Sequence, residues 1–230
     1  MKVRDLGFNL IRVGPNNDGG YLIPDILNEI EDCFSPGIGN IYEFEKELRT
    51  KNISLFLADN TVDKENIKID KFDFIKKNLS SKNDKNEITL EKWIKDKSKY
   101  NNSNLLLQMD IEGSEYEVIN STSTECLELF KVMIIEFHFL EKLYNRLSYN
   151  IFSSCIKKIL KSFEIAHIHP NNCQGTFNIC GEKLPTAIEI TFIRKDLCRK
   201  KGKVDNLPHK FDQKNIKGLP EIKLSKRWYN

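Results

Sequence analysis

Carboxylates and histidines close several apolar runs of this chain, and glycines interrupt another. Asp110-Ile111-Glu112-Gly113 follows the run LLLQM, and Glu136-Phe137-His138 closes the run KVMII. Residues two apart on a strand share a face, so Asp110 pairs with Glu112 and Glu136 with His138. A charged group at the mouth of a buried strand is costly to desolvate unless it binds something, and in open α/β sheets ligands sit beyond the carboxyl ends of strands. A third same-face pair, His167 and His169, closes the run FEIAHIH and precedes Pro170-Asn171-Asn172. Three of the four histidines thus stand at strand ends in the C-terminal half. Together with two carboxylates they form a general-base or metal-ligand set. Asp110, Glu136, His138 and His169 are the candidate catalytic residues; His167 has the parity of His169 but lies a step deeper. Each carboxylate also has a plainer reading, as a helix cap or a salt-bridge partner.

A second constellation is Ser35-Pro36-Gly37-Ile38-Gly39-Asn40, between an apolar run and a segment of helical period. In a Rossmann-type turn between strand and helix, glycines let the backbone approach a nucleotide cofactor closely. Asp59 ends the next apolar run, twenty residues after Gly39, the separation at which an acidic residue meets a ribose diol. The full dinucleotide fingerprint asks for a third glycine where Tyr42 stands, which counts against NAD. A tight turn and a loop aspartate with no ligand are the plain alternatives.

The elements that must position these residues alternate. Residues 14–25, GPNNDGGYLIPD, read as a turn and then a short strand; 32–39 as a strand into a glycine turn; 41–51 as a helix; and 53–59 as a buried parallel strand. From 60 to 104 the chain is polar and poorly patterned, apart from a strand at KFDFI and a helix around Leu90, Trp93 and Ile94. Residues 105–110 and 131–138 read as buried strands separated by a helix beginning near Ser114. A helix at 151–161 and strands at 163–169 and 187–194 follow. The expected fold class is α/β, three-layered, with 1–195 as one domain that includes an N-terminal segment 1–30. Residues 196–230 read as a basic tail: from Arg194 onward there are twelve Lys/Arg against four Asp/Glu.

Composition sets the outer limits. With 230 residues, 40% hydrophobic and 30% charged, the chain can bury a core. A net charge of +3 from 36 basic and 33 acidic side chains argues against a protein built to neutralise phosphate backbones, and so against a nucleic-acid partner. No stretch is apolar enough for a membrane span, and MKVRDLGFNL lacks the apolar core of a signal peptide, so the expected location is cytoplasmic. Six cysteines without a CxxC pair are expected as thiols, with no structural zinc on them.

In order along the chain, DGGYLIP, SPGIGN, LLLQMDIEGSEYEVI, IIEFHFLEKL, IAHIHPNN and LPTAIEITFIR resemble the FkbM-type methyltransferases of polysaccharide and natural-product biosynthesis. The resemblance runs from about Gly14 to Arg194. It implies a Rossmann-like class I methyltransferase fold, a mostly parallel seven-stranded sheet with helices on both faces. Its cofactor is S-adenosylmethionine, contacted by Gly37, Gly39, Asn40, Asp59 and Asp110, and the acceptor a sugar hydroxyl on a nucleotide-sugar or a bacterial surface-glycan precursor such as capsule. Ser35-Pro36 depart from the family's glycine motif where many relatives carry an acidic residue. Methyl transfer is an in-line displacement, so alignment is most of the work. A base within hydrogen-bond reach of the acceptor hydroxyl, His138 or His169, contributes typically about 10²- to 10⁴-fold. Asp110, Glu136 and His138 holding Mg²⁺ or Mn²⁺ would lower the hydroxyl pKa instead. The rivals are an NAD-dependent oxidoreductase, lacking a Tyr-x-x-x-Lys pair; a glycosyltransferase using Asp110-Ile111-Glu112; and a non-enzymatic nucleic-acid-binding module resting on the basic tail.

Overall fold

The computed structural model describes residues 1–98, 103–179 and 181–229; Cys180 and part of the polar stretch before Asn104 lie outside them. A hairpin of β1 (Leu10–Val13) and β2 (Tyr21–Pro24) opens the chain. Then come β3 (Asp32–Pro36), α1 (Glu43–Thr50), β4 (Ser54–Ala58), β5 (Phe72–Ile75), β6 (Asn78–Leu79), β7 (Glu87–Ile88) and α2 (Leu90–Lys97). They are followed by β8 (Leu105–Met109), α3 (Glu115–Ser121), α4 (Thr124–Leu127), β9 (Phe130–Phe137), α5 (Arg146–Ser162), β10 (Phe163–Ile179) and β11 (Glu182–Arg194). The main sheet has seven strands in the order β10-β11-β9-β8-β3-β4-β5. All run the same way except β11, which is antiparallel to both neighbours. The expected α/β, mostly parallel seven-stranded sheet is therefore present.

Strand alternation divides the core in two. From β8, Leu105, Leu107 and Met109 point to one face, and from β9 Met133, Ile135 and Phe137 join them under Trp93 of α2, Val118 of α3 and Ile156 and Ile159 of α5. Leu106, Val132 and Ile134 point the other way, against Phe44 and Leu48 of α1 and Tyr21 and Ile23 of the hairpin. Helices thus cover both faces, but on the second face a hairpin takes the place of a helix over β8 and β9. Gln108 and Glu136 share the parity of Leu106 and Ile134, so these polar side chains face the hairpin. The helix starts carry their own signals: the Thr89 hydroxyl accepts from Lys92 N in α2, and the Asn145 side chain accepts from the Leu147 and Ser148 amides in α5.

Two features exceed the sequence reading. The strands expected at 163–169 and 187–194 are the inner parts of a long hairpin, because pairing continues outward to Ile179↔Glu182 past an irregularity between Asn171 and Thr176. Of residues 196–230, expected as a basic tail, the described part, 196–229, lies on the body. Leu224 and Tyr229 are buried, the Val3 amide donates to the Trp228 carbonyl at 2.8 Å, and Asn215 reaches under the sheet edge. Arg199, Lys200 and Lys201 are engaged with the Phe8 ring, Asp5 and Glu164. None of the helices described is long and apolar enough to cross a membrane.

Candidate functional site

The chain places β3 and β8 side by side while their connections leave in opposite directions, so a crevice opens at their carboxyl ends. A cavity of about 550 Å³ occupies it, within the range of small-molecule sites. Gly37, Gly39, Asn40, Asp59 and Asp110, all expected at a cofactor, line it. The two glycines do different work. Gly37 has φ +79° and a Cβ there would sit 1.7 Å from the Asp110 carbonyl oxygen, so only glycine lets the turn close on β8. Gly39 has φ +54° and nothing within 4 Å of a Cβ: its face is open to the cavity. Asp59 ties the turn to β4, accepting from Gly39 N at 3.1 Å through Oδ2 and from the Thr61 amide and hydroxyl at 2.6 Å each through Oδ1. A carboxylate has about four lone-pair sites, so capacity remains for a further donor.

Among the described residues the cavity wall carries seven carboxylate residues, including Asp18, Glu45, Asp59, Asp110 and Glu112, and no lysine or arginine. The first turn of α1 adds Glu43 and Glu45 where a phosphate-binding helix would offer bare amides. Behind the wall, the Ser35 hydroxyl lies 2.6 Å from Glu45 Oε1 and 2.7 Å from Gln108 Oε1, and Gln108 Nε2 donates to the Tyr21 hydroxyl at 3.1 Å. One hydroxyl proton serves one acceptor, so both contacts are satisfied when Glu45 is protonated and donates to Ser35, or when the Gln108 amide is turned to donate to Ser35 and accept from Tyr21. Burial favours the first, pushing the Glu45 carboxyl up to about 7 against the opposing Ser35 hydrogen bond.

Beside the cavity, His138 is ringed by acids. Its Nδ1 lies 3.0 Å from Glu115 Oε1, and its Nε2 lies 3.6 Å from Asp110 Oδ1, 3.6 Å from Glu112 Oε2 and 3.7 Å from Glu136 Oε1. Glu115 Oε1 also accepts from the amides of Ile111 and Gly113, and the Tyr116 hydroxyl donates to the His138 carbonyl. With Glu115 ionised, Nδ1 carries the ring proton and Nε2 is left to face Asp110, Glu112 and Glu136. Burial of the ring opposes protonation, but the Glu115 hydrogen bond and the surrounding carboxylates outweigh it and raise the imidazole above its ordinary value. Burial likewise pushes Asp110 up to about 7, with His138 opposing. Glu136 rises well above the usual carboxylate range through burial and the charges of Asp110 and Glu189, although Asn171 Nδ2 donates to it at 2.7 Å. These groups share protons rather than carry a full set of charges.

Of the expected catalytic set, the structure brings together Asp110, Glu136 and His138, and Asp110 also borders the cofactor cavity. His169 stands apart: it pairs across the hairpin with Glu189, which in turn pairs with Glu136, so β11 lies between His169 and the others. The partner of His167 and His169 is Asp212, from the segment expected as a tail. For the expected metal set Asp110, Glu136 and His138, the tightest grouping around this histidine has Glu115 in the place of Glu136. Sequence reasoning missed Glu115, Glu189 and Glu45. Glu115 was visible in the GSEYE block. Glu189, buried and pushed up to about 8 against an Asn215 hydrogen bond of 2.7 Å, sits inside the apolar run AIEITFI, where a lone acid was itself the signal.

No protein-family model matches the chain, and no curated protein sequence matches it. Solved structures are similar to it in shape. Against the Methanococcus jannaschii fibrillarin pre-rRNA processing protein, the identity is 9% over 85% of this chain and 86% of the other, with a TM-score of 0.46. A SAM-dependent methyltransferase from Archaeoglobus fulgidus is 14% identical over 72% and 86%, with a TM-score of 0.39. Magnesium protoporphyrin IX methyltransferase from Synechocystis PCC 6803, with bound SAH, is 11% identical over 73% and 76%, with a TM-score of 0.38.

Proposed function

We propose that this chain is an S-adenosylmethionine-dependent O-methyltransferase acting on a sugar hydroxyl. The observation that carries the reading is the cavity at the carboxyl ends of β3, β4 and β8, walled by carboxylates and by a turn whose open glycine, Gly39, is tethered to Asp59. S-adenosylmethionine brings a cationic sulfonium and an ammonium group, which a carboxylate wall attracts. A nicotinamide dinucleotide brings a pyrophosphate, which the other carboxylates of the same wall and Glu43 of α1 repel, the buried Glu45 carboxyl apart because it holds a proton. That opposition separates the reading from an NAD-dependent oxidoreductase, as does Tyr42 at the third glycine position.

In this reading Gly39 and Asn40 lie along the methionine part, Asp59 takes the ribose hydroxyls and Asp110 stands where the cofactor meets the acceptor. His138 Nε2 accepts the proton of the attacking hydroxyl, with Glu115 fixing the tautomer. Sugar hydroxyls are donors, and the acids and amides around Glu136, Glu189 and Asn171 are their natural partners. The resemblance of the MDIEGSEYEV, IIEFHF and HIHPNN blocks to the FkbM-type methyltransferases supports the same acceptor class, a nucleotide-sugar or a surface-glycan precursor.

A divalent cation is a second reading, favoured by the three carboxylate oxygens within 3.7 Å of His138 Nε2 and by Asp110 Oδ1, buried without a hydrogen-bond partner. Such an oxygen-rich set suits Mg²⁺ or Mn²⁺. Methyl transfer from labelled S-adenosylmethionine to a panel of sugars and nucleotide-sugars, with and without chelator, tests both. Transfer to a hydroxyl that resists chelation fits the histidine base. Transfer abolished by chelation and restored by Mg²⁺ or Mn²⁺ fits the cation. Absence of transfer to every sugar, while a protein or nucleic-acid acceptor is methylated, overturns the acceptor class.

A further inference from the structure

We infer that His167, His169 and Asp212 form a transition-metal site, taking Zn²⁺, that clips the C-terminal segment to the sheet. His167 Nε2 lies 2.8 Å and His169 Nδ1 3.6 Å from the same Asp212 Oδ1, and the three donor atoms lie within 4.8 Å of one another. Ligand atoms on a tetrahedral zinc at about 2.0–2.2 Å stand roughly 3.3 Å apart, so the cluster needs adjustments on the order of 1 Å. Two imidazoles and a carboxylate are a donor set for zinc and its neighbours rather than for Mg²⁺ or Ca²⁺.

The second observation is His169 itself. The residue is 6% exposed, and neither of its ring nitrogens has a hydrogen-bond partner among the described residues. A buried imidazole with both nitrogens unpaired costs free energy that a ligand would recover. The nearby cation, Arg12, donates to the Pro15 and Asn17 carbonyls and not to these rings. A fourth donor is at hand: Asn215 Oδ1, beside His169, is buried without a partner, while Asn215 Nδ2 donates to Asp18 and Glu189. His167 also lines a cavity of about 980 Å³ shared with residues 203–211.

The consequence is mechanical. His167 and His169 belong to β10, whereas Asp212 and Asn215 belong to the segment that closes over Glu189, so a bound ion fixes that segment in place. Full-length protein stripped by chelator and titrated with Zn²⁺ alone by calorimetry is expected to take up one equivalent here. In His169→Gln and Asp212→Asn this binding weakens by more than about a hundredfold, whereas His138→Gln retains it. The melting temperature of His169→Gln without metal checks that it folds as the parent does, since the ring stands beside Asp212 and Asn215. Zinc also slows tryptic cleavage at Lys210 and Lys214 in the parent and not in His169→Gln. Absence of zinc uptake, or uptake that survives His169→Gln and disappears in His138→Gln, overturns the site.

Discussion

The two halves of the carboxylate edge are assembled from very different stretches of chain. On the side proposed for the cofactor, the turn at Gly37–Asn40 and Asp59 come from consecutive elements, β3, α1 and β4, and line one wall within about twenty residues of sequence. On the side proposed for the acceptor, Tyr21 and Asp18 of the hairpin, Asp110, Glu136, His138, Glu189 and Asn215 come together from five separated segments. The first half is a local motif, where spacing fixes geometry. The second is tertiary, and burial pushes Asp110 up to about 7, Glu189 up to about 8 and Glu136 well above the usual carboxylate range. A site built locally can be damaged one contact at a time; a site built of coupled groups responds as a unit.

The largest expected effect lies on the acceptor side. His138→Ala is expected to lower kcat by about 10²- to 10⁴-fold, with cofactor affinity nearly unchanged, measured on the best acceptor of the sugar panel. In the parent the rate falls as pH drops through the histidine's pKa, which the surrounding acids hold above 6.5, so the acid limb starts higher than for a free imidazole. A loss confined to cofactor affinity would place His138 on the wrong side of the comparison.

Next comes the cofactor side. Asp59→Ala removes a charge-assisted hydrogen bond worth about 1.5–3 kcal/mol, so S-adenosylhomocysteine should bind roughly 10- to 150-fold more weakly by calorimetry. Part of the loss passes through Gly39, whose amide gives its hydrogen to Asp59 Oδ2. Equal affinities in the two proteins would detach Asp59 from the ligand.

The smallest effect tests the shared floor beneath both halves. The Glu45 carboxyl titrates at about 7 in the folded chain, above its ordinary value near 4.5. The folded state therefore holds this proton more tightly, and its contribution is full below the unfolded pKa and lost as pH rises through 7. Glu45→Gln mimics the protonated form, so its melting temperature relative to the parent should climb between pH 5 and pH 8. The change corresponds to about 1–3 kcal/mol. A constant difference would mean that Glu45 is ionised throughout.

The same contrast explains what the sequence could tell. The apolar runs at 32–36, 54–58, 105–109 and 130–137 predict the inner strands because a strand buried on both faces must be apolar throughout. The glycine turn and Asp59 were legible for the same local reason. His138 and Asp110 were legible as strand-end charges, but the roles of Glu115 and Glu189 depend on which strands become neighbours, and no spacing encodes that. The sequence groups His169 with His138 because both stand at strand ends. The order β10-β11-β9 puts a strand between them. The C-terminal segment was misread through its charge: its lysines dominate the count, whereas Asp212 and Asn215, which anchor it, are two residues among many polar ones.

In the proposed function, the cavity beyond β3, β4 and β8 takes a cationic sulfonium cofactor and rejects a pyrophosphate. Calorimetric titration of the full-length protein with S-adenosylmethionine, S-adenosylhomocysteine and NAD, each at low and moderate salt, tests it directly. The expected result is one-to-one binding of the first two, with S-adenosylmethionine weakened by salt as its charge attraction to the carboxylate wall is screened, and no heat from NAD. Binding of NAD without binding of either sulfur compound would contradict it.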